Sequence, residues 1–207
     1  SPLSRQDIRS RAEADVLRTR NEMYTVAKVA LAGRPDAPDL PDEPDLEQQQ
    51  AAIVAALALV SADRPARDGV VDYARETLAE ATEFVRSRNL VTMPESPLEI
   101  ILMPVFQRGV AVAYCDSPGP LDKGQRTFYA VSPIPADWTD AQVDSFLREY
   151  NKRSIADLTV HEAMPGHYLQ IAHSNRYPSV LRAMLWSGPF VEGWAVYAER
   201  VMREQGF

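Results

Sequence analysis

The twelve residues from Thr159 to Gln170 constrain the fold of this chain more than any other stretch. They read TVHEAMPGHYLQ and place a Pro-Gly pair inside a segment whose pattern is otherwise typical of a helix. The ring of Pro165 clashes with the carbonyl four residues earlier, that of His161, and its nitrogen donates no hydrogen bond. Gly166 can adopt backbone conformations that are closed to other residues. We therefore predict that the helix breaks between His161 and His167.

This predicted break changes what the two histidines can do together. On an unbroken helix, residues six apart are separated by about 240°, and their rings would diverge. A break between them can re-aim His167 toward His161, so that both bind one metal ion. Glu162 directly follows the first histidine, where it can take a proton from a metal-bound water. The alternative is a kinked helix with two partly buried histidines that bind no metal.

A second helix, predicted from Phe190 to Glu199, carries two acids in an apolar setting. Gly188-Pro189 marks its start. Glu192 and Glu199 are seven residues apart, so they share a face, and buried carboxylates are costly unless paired or metal-bound. Simpler readings are that Glu192 is an acid favoured at the start of a helix and that Glu199 is a surface acid.

Two histidines on one helix and a carboxylate from another match a catalytic zinc site with an open position for water. The same donor set also forms the facial triad of non-haem iron(II) enzymes. Glu162 favours hydrolysis over that alternative, because an oxygenase needs no base there. A third reading is a non-catalytic scaffold or interaction domain, in which the kink and the acids are structural.

The rest of the chain predicts a mainly α-helical protein with a small antiparallel β-sheet. Apolar residues recur at helical spacing in three early segments and then in short strand-like runs: helices 4–32, 47–61 and 70–88, and strands 98–103, 109–115 and 127–132. Thr139 and Gln142 form a capping box where helices resume. We predict one domain over 1–207: a helical scaffold at about 1–90, the sheet at about 98–132 and metal-site helices at about 139–207. Trp186 and Trp194 are predicted to lie in the core.

Composition limits the choice of partners. The formal charge of −7 gives no support to a nucleic-acid partner, and the single cysteine excludes an internal disulfide or a Cys-based zinc cluster. No apolar run approaches the ~18 residues that span a bilayer. The chain begins with Ser1, which suggests a processed or excised segment, so its compartment, cytoplasmic or exported, stays open. The oligomeric state is equally open.

The two motifs together resemble a known family. His-Glu-Ala-x-Pro-Gly-His-x-x-Gln, at 161–170, followed by Glu-Gly-Trp-Ala-x-Tyr-x-Glu, at 192–199, resembles the bacterial domain-of-unknown-function family 885. Members of that family look like distant relatives of helical zinc peptidases of the thimet oligopeptidase and angiotensin-converting enzyme type. The resemblance implies a zincin-like helical metallopeptidase fold acting on a short peptide-like substrate. Because family members are more than twice this length, we expect the chain to be a fragment of a longer protein.

The resemblance also implies roles for individual residues. It makes His161, His167 and Glu192 the ligands of Zn²⁺, Glu162 the general base, and Glu199 a group behind the ligands that orients a histidine. Gln170 is a second candidate for such a supporting hydrogen bond. The predicted strand would pair with the backbone of a peptide substrate, through Gly109, Val110, Ala111, Val112, Ala113 and Tyr114.

Overall fold

The computed structural model describes residues 3–122, 124–177 and 179–207, in two compact units. The first unit, Ser1–Asp63, contains helices α1 (Arg5–Leu31) and α2 (Leu46–Val60). Each helix starts at a capping box, formed by Ser4 with Asp7 and by Asp45 with Gln48. A small apolar cluster holds the two helices together, made by the buried residues Tyr24, Ala27, Leu31 and Ala52.

The second unit, Arg64–Phe207, contains the sheet and the predicted metal-site helices. Its helices are α3 (Val70–Ser87), α4 (Asp140–Glu149), α5 (Lys152–Glu162), α6 (His167–Ser174), α7 (Val180–Met184) and α8 (Gly188–Glu204). Its strands are β1 (Leu98–Leu102), β2 (Ala113–Asp116) and β3 (Thr127–Val131), with one 3-10 turn at Val105–Gln107. The mainly helical class with a small sheet is therefore confirmed.

The predicted antiparallel sheet is wrong in one of its two pairings. Strand β3 lies between the other two strands, pairing antiparallel with β2 and parallel with β1. The chain reverses direction between β1 and β2 and again between β2 and β3, so β3 returns parallel to β1. A strand's alternation shows that it is a strand, but not which neighbour it joins.

Two apolar clusters fix the site helices within the second unit. One joins α3, α4 and α5 to the sheet, around the fully buried Tyr129, whose hydroxyl lies 3.2 Å from Thr159 Oγ1. The other packs α5, α6 and α8 against α3 through the buried residues Ala81, Val85, Val160, Met164, Tyr168, Leu169 and Met202. Met164, in the predicted helix break, and Tyr168, which follows His167 in α6, therefore belong to a core.

Among the described residues, no helix combines the length and the apolar character needed to cross a membrane. The organisation of 1–207 as one domain stays a prediction.

Candidate metal centre

The helix breaks where the sequence predicts. Helix α5 ends at Glu162 and α6 begins at His167, with a cis Met164–Pro165 peptide bond in the turn between them. The turn is closed by a hydrogen bond of 2.9 Å that the Gly166 amide donates to the carbonyl of Val160.

Glycine is required in this turn, although not for a left-handed backbone conformation. Gly166 has a φ of −76°, which is not the left-handed region. A Cβ atom at this position would instead collide with the backbone carbonyl oxygens of His161 and Val160. The requirement is therefore for close approach of two backbone segments.

Helix α8 holds this turn from the other side. The indole Nε1 of Trp194 donates a 2.9 Å hydrogen bond to the carbonyl of Pro165. A proline in the turn leaves its carbonyl without a helical partner, and the indole supplies one. Trp194 thereby ties the segment between the two histidines to the helix that carries the acids.

The two histidines converge on Glu192. Their ring centroids are 4.7 Å apart and the ring planes are nearly perpendicular, at 89°. Glu192 Oε2 lies 3.5 Å from Nε2 of His161 and 3.6 Å from Nε2 of His167. Turn and helix together thus bring both imidazoles and one α8 carboxylate to a common point.

These separations fit a tetrahedral zinc ion. Zinc bonds of about 2.0–2.1 Å in tetrahedral geometry place two ligand atoms about 3.3–3.5 Å apart. Two imidazoles with one carboxylate are also a donor set of catalytic zinc sites. The Glu192 side chain is 66% exposed, so the cluster is open to solvent on that side.

A second carboxylate competes with Glu192 for the place of third ligand. One ligand atom from each of His161, Glu162 and His167 lies within 4.8 Å of the other two. Glu192 Oε2 lies 3.5 and 3.6 Å from the two imidazoles, whereas Glu162 accepts a 3.1 Å hydrogen bond from the Cys115 amide. Glu192 therefore stays the predicted third ligand, and Glu162 the predicted base beside it.

Glu199 lies behind His161, as expected of a group that orients the ring. Its Oε1 is 2.6 Å from Nδ1 of His161, so the Nδ1–H can donate to the carboxylate while Nε2 faces the site. This hydrogen bond raises the pKa of His161 above its ordinary value. Burial, with the nearby His161, lowers the pKa of His167, which favours the neutral imidazole that binds metal.

Glu162 has the electrostatic setting of a proton-transfer group. Burial raises the pKa of its carboxyl to about 6, in opposition to the nearby His161 and the Cys115 amide, which lower it. A base whose pKa lies near the operating pH can both accept and release a proton. The role of Glu162 as general base stays a prediction.

Gln170 does not contact a site histidine through its described hydrogen bonds. Its amide nitrogen donates to Ser174 Oγ at 2.8 Å. Its Oε1 and the Nδ1 of His167 are buried, and neither has a hydrogen-bond partner among the described residues. The predicted supporting role of Gln170 stays a prediction.

The strand predicted to pair with substrate is shorter than expected. Only Ala113 and Tyr114 of the predicted segment lie in β2, while Gly109 has a φ of +88° in a turn. β2 is an edge strand, as the prediction requires. However, Ala113 is only 5% exposed, and the outward Cys115 amide is taken by Glu162. The strand assignment is wrong for Gly109, Val110, Ala111 and Val112, and their contact with substrate stays a prediction.

Sequence reasoning missed two residues beside the site. Trp194 was predicted to be only a core residue, whereas its indole binds the turn. Asp157 lies one helical turn before His161, and burial together with the charge of Glu199 raises its pKa. The i, i+4 spacing to His161 was a signal for Asp157. The core prediction for Trp186 is wrong, because that residue is 69% exposed.

Comparisons with known proteins place the fold but give no activity. The sequence model of a family described as "Bacterial protein of unknown function (DUF885)" matches residues 1–207. A structure of a candidate lipoprotein of unknown function from Shewanella oneidensis is 32% identical, with a TM-score of 0.82, and this chain spans 35% of its length. A candidate lipoprotein from Colwellia psychrerythraea is 20% identical, with a TM-score of 0.71, and this chain spans 32% of it. Both alignments cover the whole of this chain, and no curated protein matches it.

Proposed function

The chain belongs to this DUF885 family, and on that premise we propose that it forms the metal centre of a zinc-dependent hydrolase, most simply a peptidase acting on short peptides. The observation that carries the proposal is the convergence of His161, His167 and Glu192 at 3.5 and 3.6 Å. The base-like setting of Glu162 beside that cluster supports hydrolysis rather than a purely structural metal.

In the proposed reaction, side chains of this protein hold the metal ion, orient one of its ligands and transfer a proton. His161, His167 and Glu192 would hold the ion, and Glu199 keeps the His161 ring turned with Nε2 toward the site. A bound zinc ion would supply Lewis acidity, which lowers the pKa of a water and polarises a carbonyl.

Glu162 accepts the proton that the water loses as its oxygen bonds to the carbonyl carbon. Glu162 then releases that proton to the leaving nitrogen as the C–N bond breaks, so it ends the cycle unchanged. The Cys115 amide holds the Glu162 carboxylate in place through both transfers.

Metal analysis and two substitutions test the proposal. We expect about one zinc per chain, measured by mass spectrometry of the metal content. Glu162→Gln should keep the zinc and lose peptide hydrolysis by at least about 100-fold, since general-base catalysis contributes about that much or more. His161→Ala should lose the zinc as well.

Glu80→Gln is the matched control for Glu162→Gln, because this acid lies at an exposed position of α3, outside the metal cluster. Iron without zinc would favour the non-haem iron alternative. Absence of any metal after reconstitution would favour the scaffold reading. Unchanged turnover in Glu162→Gln would remove that residue from the base role.

The location of the full protein is part of the proposal. Both similar structures are of candidate lipoproteins, which supports an exported, lipid-anchored protein in this case as well. Fractionation of cells that express the full-length gene tests this. Recovery in the cytoplasmic fraction alone would contradict it.

A further inference from the structure

A cavity of about 680 Å³ borders the metal centre without including its ligands. It meets the site at three points: Cys115, whose amide binds Glu162; Gln170, one turn beyond His167; and Val191, which precedes Glu192. Cavities of about 300–1,000 Å³ are the size that small-molecule ligands occupy. The cavity is therefore placed to hold a part of a molecule whose reacting bond lies at the metal centre.

Both polar and apolar side chains line this cavity, but acidic ones do not appear among its described lining residues. The lining includes the large apolar side chains of Leu185, Trp186 and Phe190. No aspartate or glutamate is among the described residues that line it, although the whole chain carries a net charge of −7. Among the described lining residues, Arg182 is the one with a permanent charge, and its guanidinium stacks 4.7 Å from the ring centre of Tyr177. Such a lining favours an anionic or neutral ligand over a cationic one.

Gln170 adds a polar group with unused bonding capacity. The residue is only 8% exposed and lines the cavity, and its Oε1 accepts no hydrogen bond from the described residues. A buried carbonyl oxygen without a donor is unfavourable, so a ligand N–H that bonds to it would be favoured.

We propose that the cavity binds the portion of a substrate that carries an apolar side chain, an amide N–H and a free carboxylate. Arg182 pairs with the carboxylate, Gln170 accepts the N–H, and Leu185, Trp186 and Phe190 contact the apolar side chain. Arginine suits this role because its planar donor pair matches a carboxylate. That this ligand is part of a substrate rests on the proposed hydrolysis; its binding does not.

Calorimetric titration of the chain in EDTA tests the binding separately from any reaction. The probes are N-acetylphenylalanine, its neutral amide N-acetylphenylalaninamide, and N-acetylglycine, which lacks the apolar side chain. We expect N-acetylphenylalanine to bind at least tenfold more tightly than either of the others. Arg182→Gln should abolish the preference over the neutral amide while changing the affinity of that amide less than twofold.

Three further variants keep the test specific. Arg182→Lys should restore part of the preference for the acid. Trp186→Ala, at an exposed position, should weaken the binding of acid and amide alike. Arg176→Gln is the matched control, since this exposed arginine lies 3.6 Å from Glu95 and does not line the cavity. It should bind all three probes like the parent chain.

Equal affinity for acid and amide, or a preference that survives Arg182→Gln, would overturn the inference. So would the absence of binding at millimolar concentrations. Selective binding without zinc or turnover would support the cavity assignment and overturn the hydrolase proposal. Zinc-dependent turnover that is equal for peptides with and without a free carboxylate would support the hydrolase proposal and overturn the cavity assignment.

Discussion

Gly166 is a position where one methyl group should disrupt the site. In Gly166→Ala the new Cβ would collide with two backbone carbonyl oxygens, of Val160 and His161, and backbone cannot move aside as a flexible side chain can. We expect a loss of about 3 kcal/mol or more in the free energy of unfolding, in the range of strong backbone strain. Chemical denaturation measures it.

Gly193→Ala is the matched control for that substitution. Gly193 lies in α8 next to Glu192, and an added Cβ would meet nothing within 4 Å. Because alanine is favoured over glycine inside a helix, we expect this variant to gain about 0.5–1 kcal/mol. A similar loss in both variants would contradict the steric argument.

The raised pKa of Glu162 predicts that the free energy of unfolding decreases as the pH rises. Burial raises the pKa of this carboxyl from its ordinary 4.5 to about 6, so the folded protein binds the proton more tightly than the unfolded chain. The stabilisation of the folded protein by the protonated Glu162 carboxyl is complete below pH 4.5 and is lost as the pH rises through 6. At about 1.4 kcal/mol per pKa unit, and allowing for partial exposure, this amounts to about 1–2 kcal/mol.

The corresponding measurement compares the metal-free wild type with Glu162→Gln. The glutamine can still accept the Cys115 amide hydrogen bond but cannot ionise. We expect the variant to match the wild type at pH 4 and to exceed it by about 1–2 kcal/mol at pH 8, in urea unfolding. Glu80→Gln, at an exposed position of α3, should show no such divergence. A constant difference between pH 4 and pH 8 would count against a buried, ionising Glu162.

At this scale, residue types and spacing carried most of the information. The two histidines were singled out because a glutamate follows the first and a helix break separates them. Glu192 and Glu199 were singled out because residues seven apart share one face of a helix, whichever way that helix runs. The role of Trp194 could not be predicted, because an aromatic residue in an apolar helix looks the same whether or not its indole donates. Glu192 was expected in a buried setting, and its exposure depends on neighbours that are distant in sequence.

At the scale of the elements, the link between α8 and the turn should control metal affinity. Trp194→Phe keeps the aromatic ring but removes the donor to the Pro165 carbonyl. We expect stability to fall by about 1 kcal/mol and zinc affinity to fall several-fold, because groups that orient ligands matter nearly as much as the ligands. Competition with a chromogenic chelator measures the affinity.

Tyr197→Phe tests whether this effect is specific. Tyr197 is on the same helix, with its ring 6.0 Å from that of Trp194, and it is exposed. Removal of its hydroxyl should leave zinc affinity unchanged. If both variants bind zinc like the wild type, the indole does not position the site.

The elements were predictable in extent but less so in their partners. The bounds of α1, α2 and α3 agree with the prediction to within one residue at each end, because caps, Gly and Pro act locally. The apolar stripe predicted on α1 is exposed at Ile8 and Val16, since periodicity reveals a stripe but not what covers it. The direction of β1 and the true start of β2 depend on pairing across the sheet, which local pattern does not encode.

At the scale of the whole molecule, metal should stabilise one unit and not the other. All the proposed ligands lie in the second unit, Arg64–Phe207. Zinc at about 100 times its dissociation constant should add about 2.7 kcal/mol to the stability of the folded unit that binds it. Hydrogen exchange should therefore slow in α5, α6 and α8 and stay unchanged in α1 and α2. Equal slowing in α1 would contradict the assignment.

Sequence alone gave the class of the molecule and its family, but not its division into compact units. The family follows from two local motifs, whereas units are defined by contacts between distant segments. The chain spans about a third of the two similar structures, so the activity of the whole protein belongs to the proposal.

The break between α5 and α6 has an electrostatic consequence as well as a geometric one. It puts His161 in the last turn of one helix and His167 in the first turn of another. Aligned peptide dipoles make the first end negative and the second positive, so a cation is favoured beside His161 and a proton is disfavoured on His167. As the pH of the metal-free protein falls, we expect His161 to take up its proton before His167, which imidazole NMR titration can resolve. Titration in the reverse order would contradict this. On a single continuous helix, His161 and His167 would not lie at helix ends of opposite partial charge.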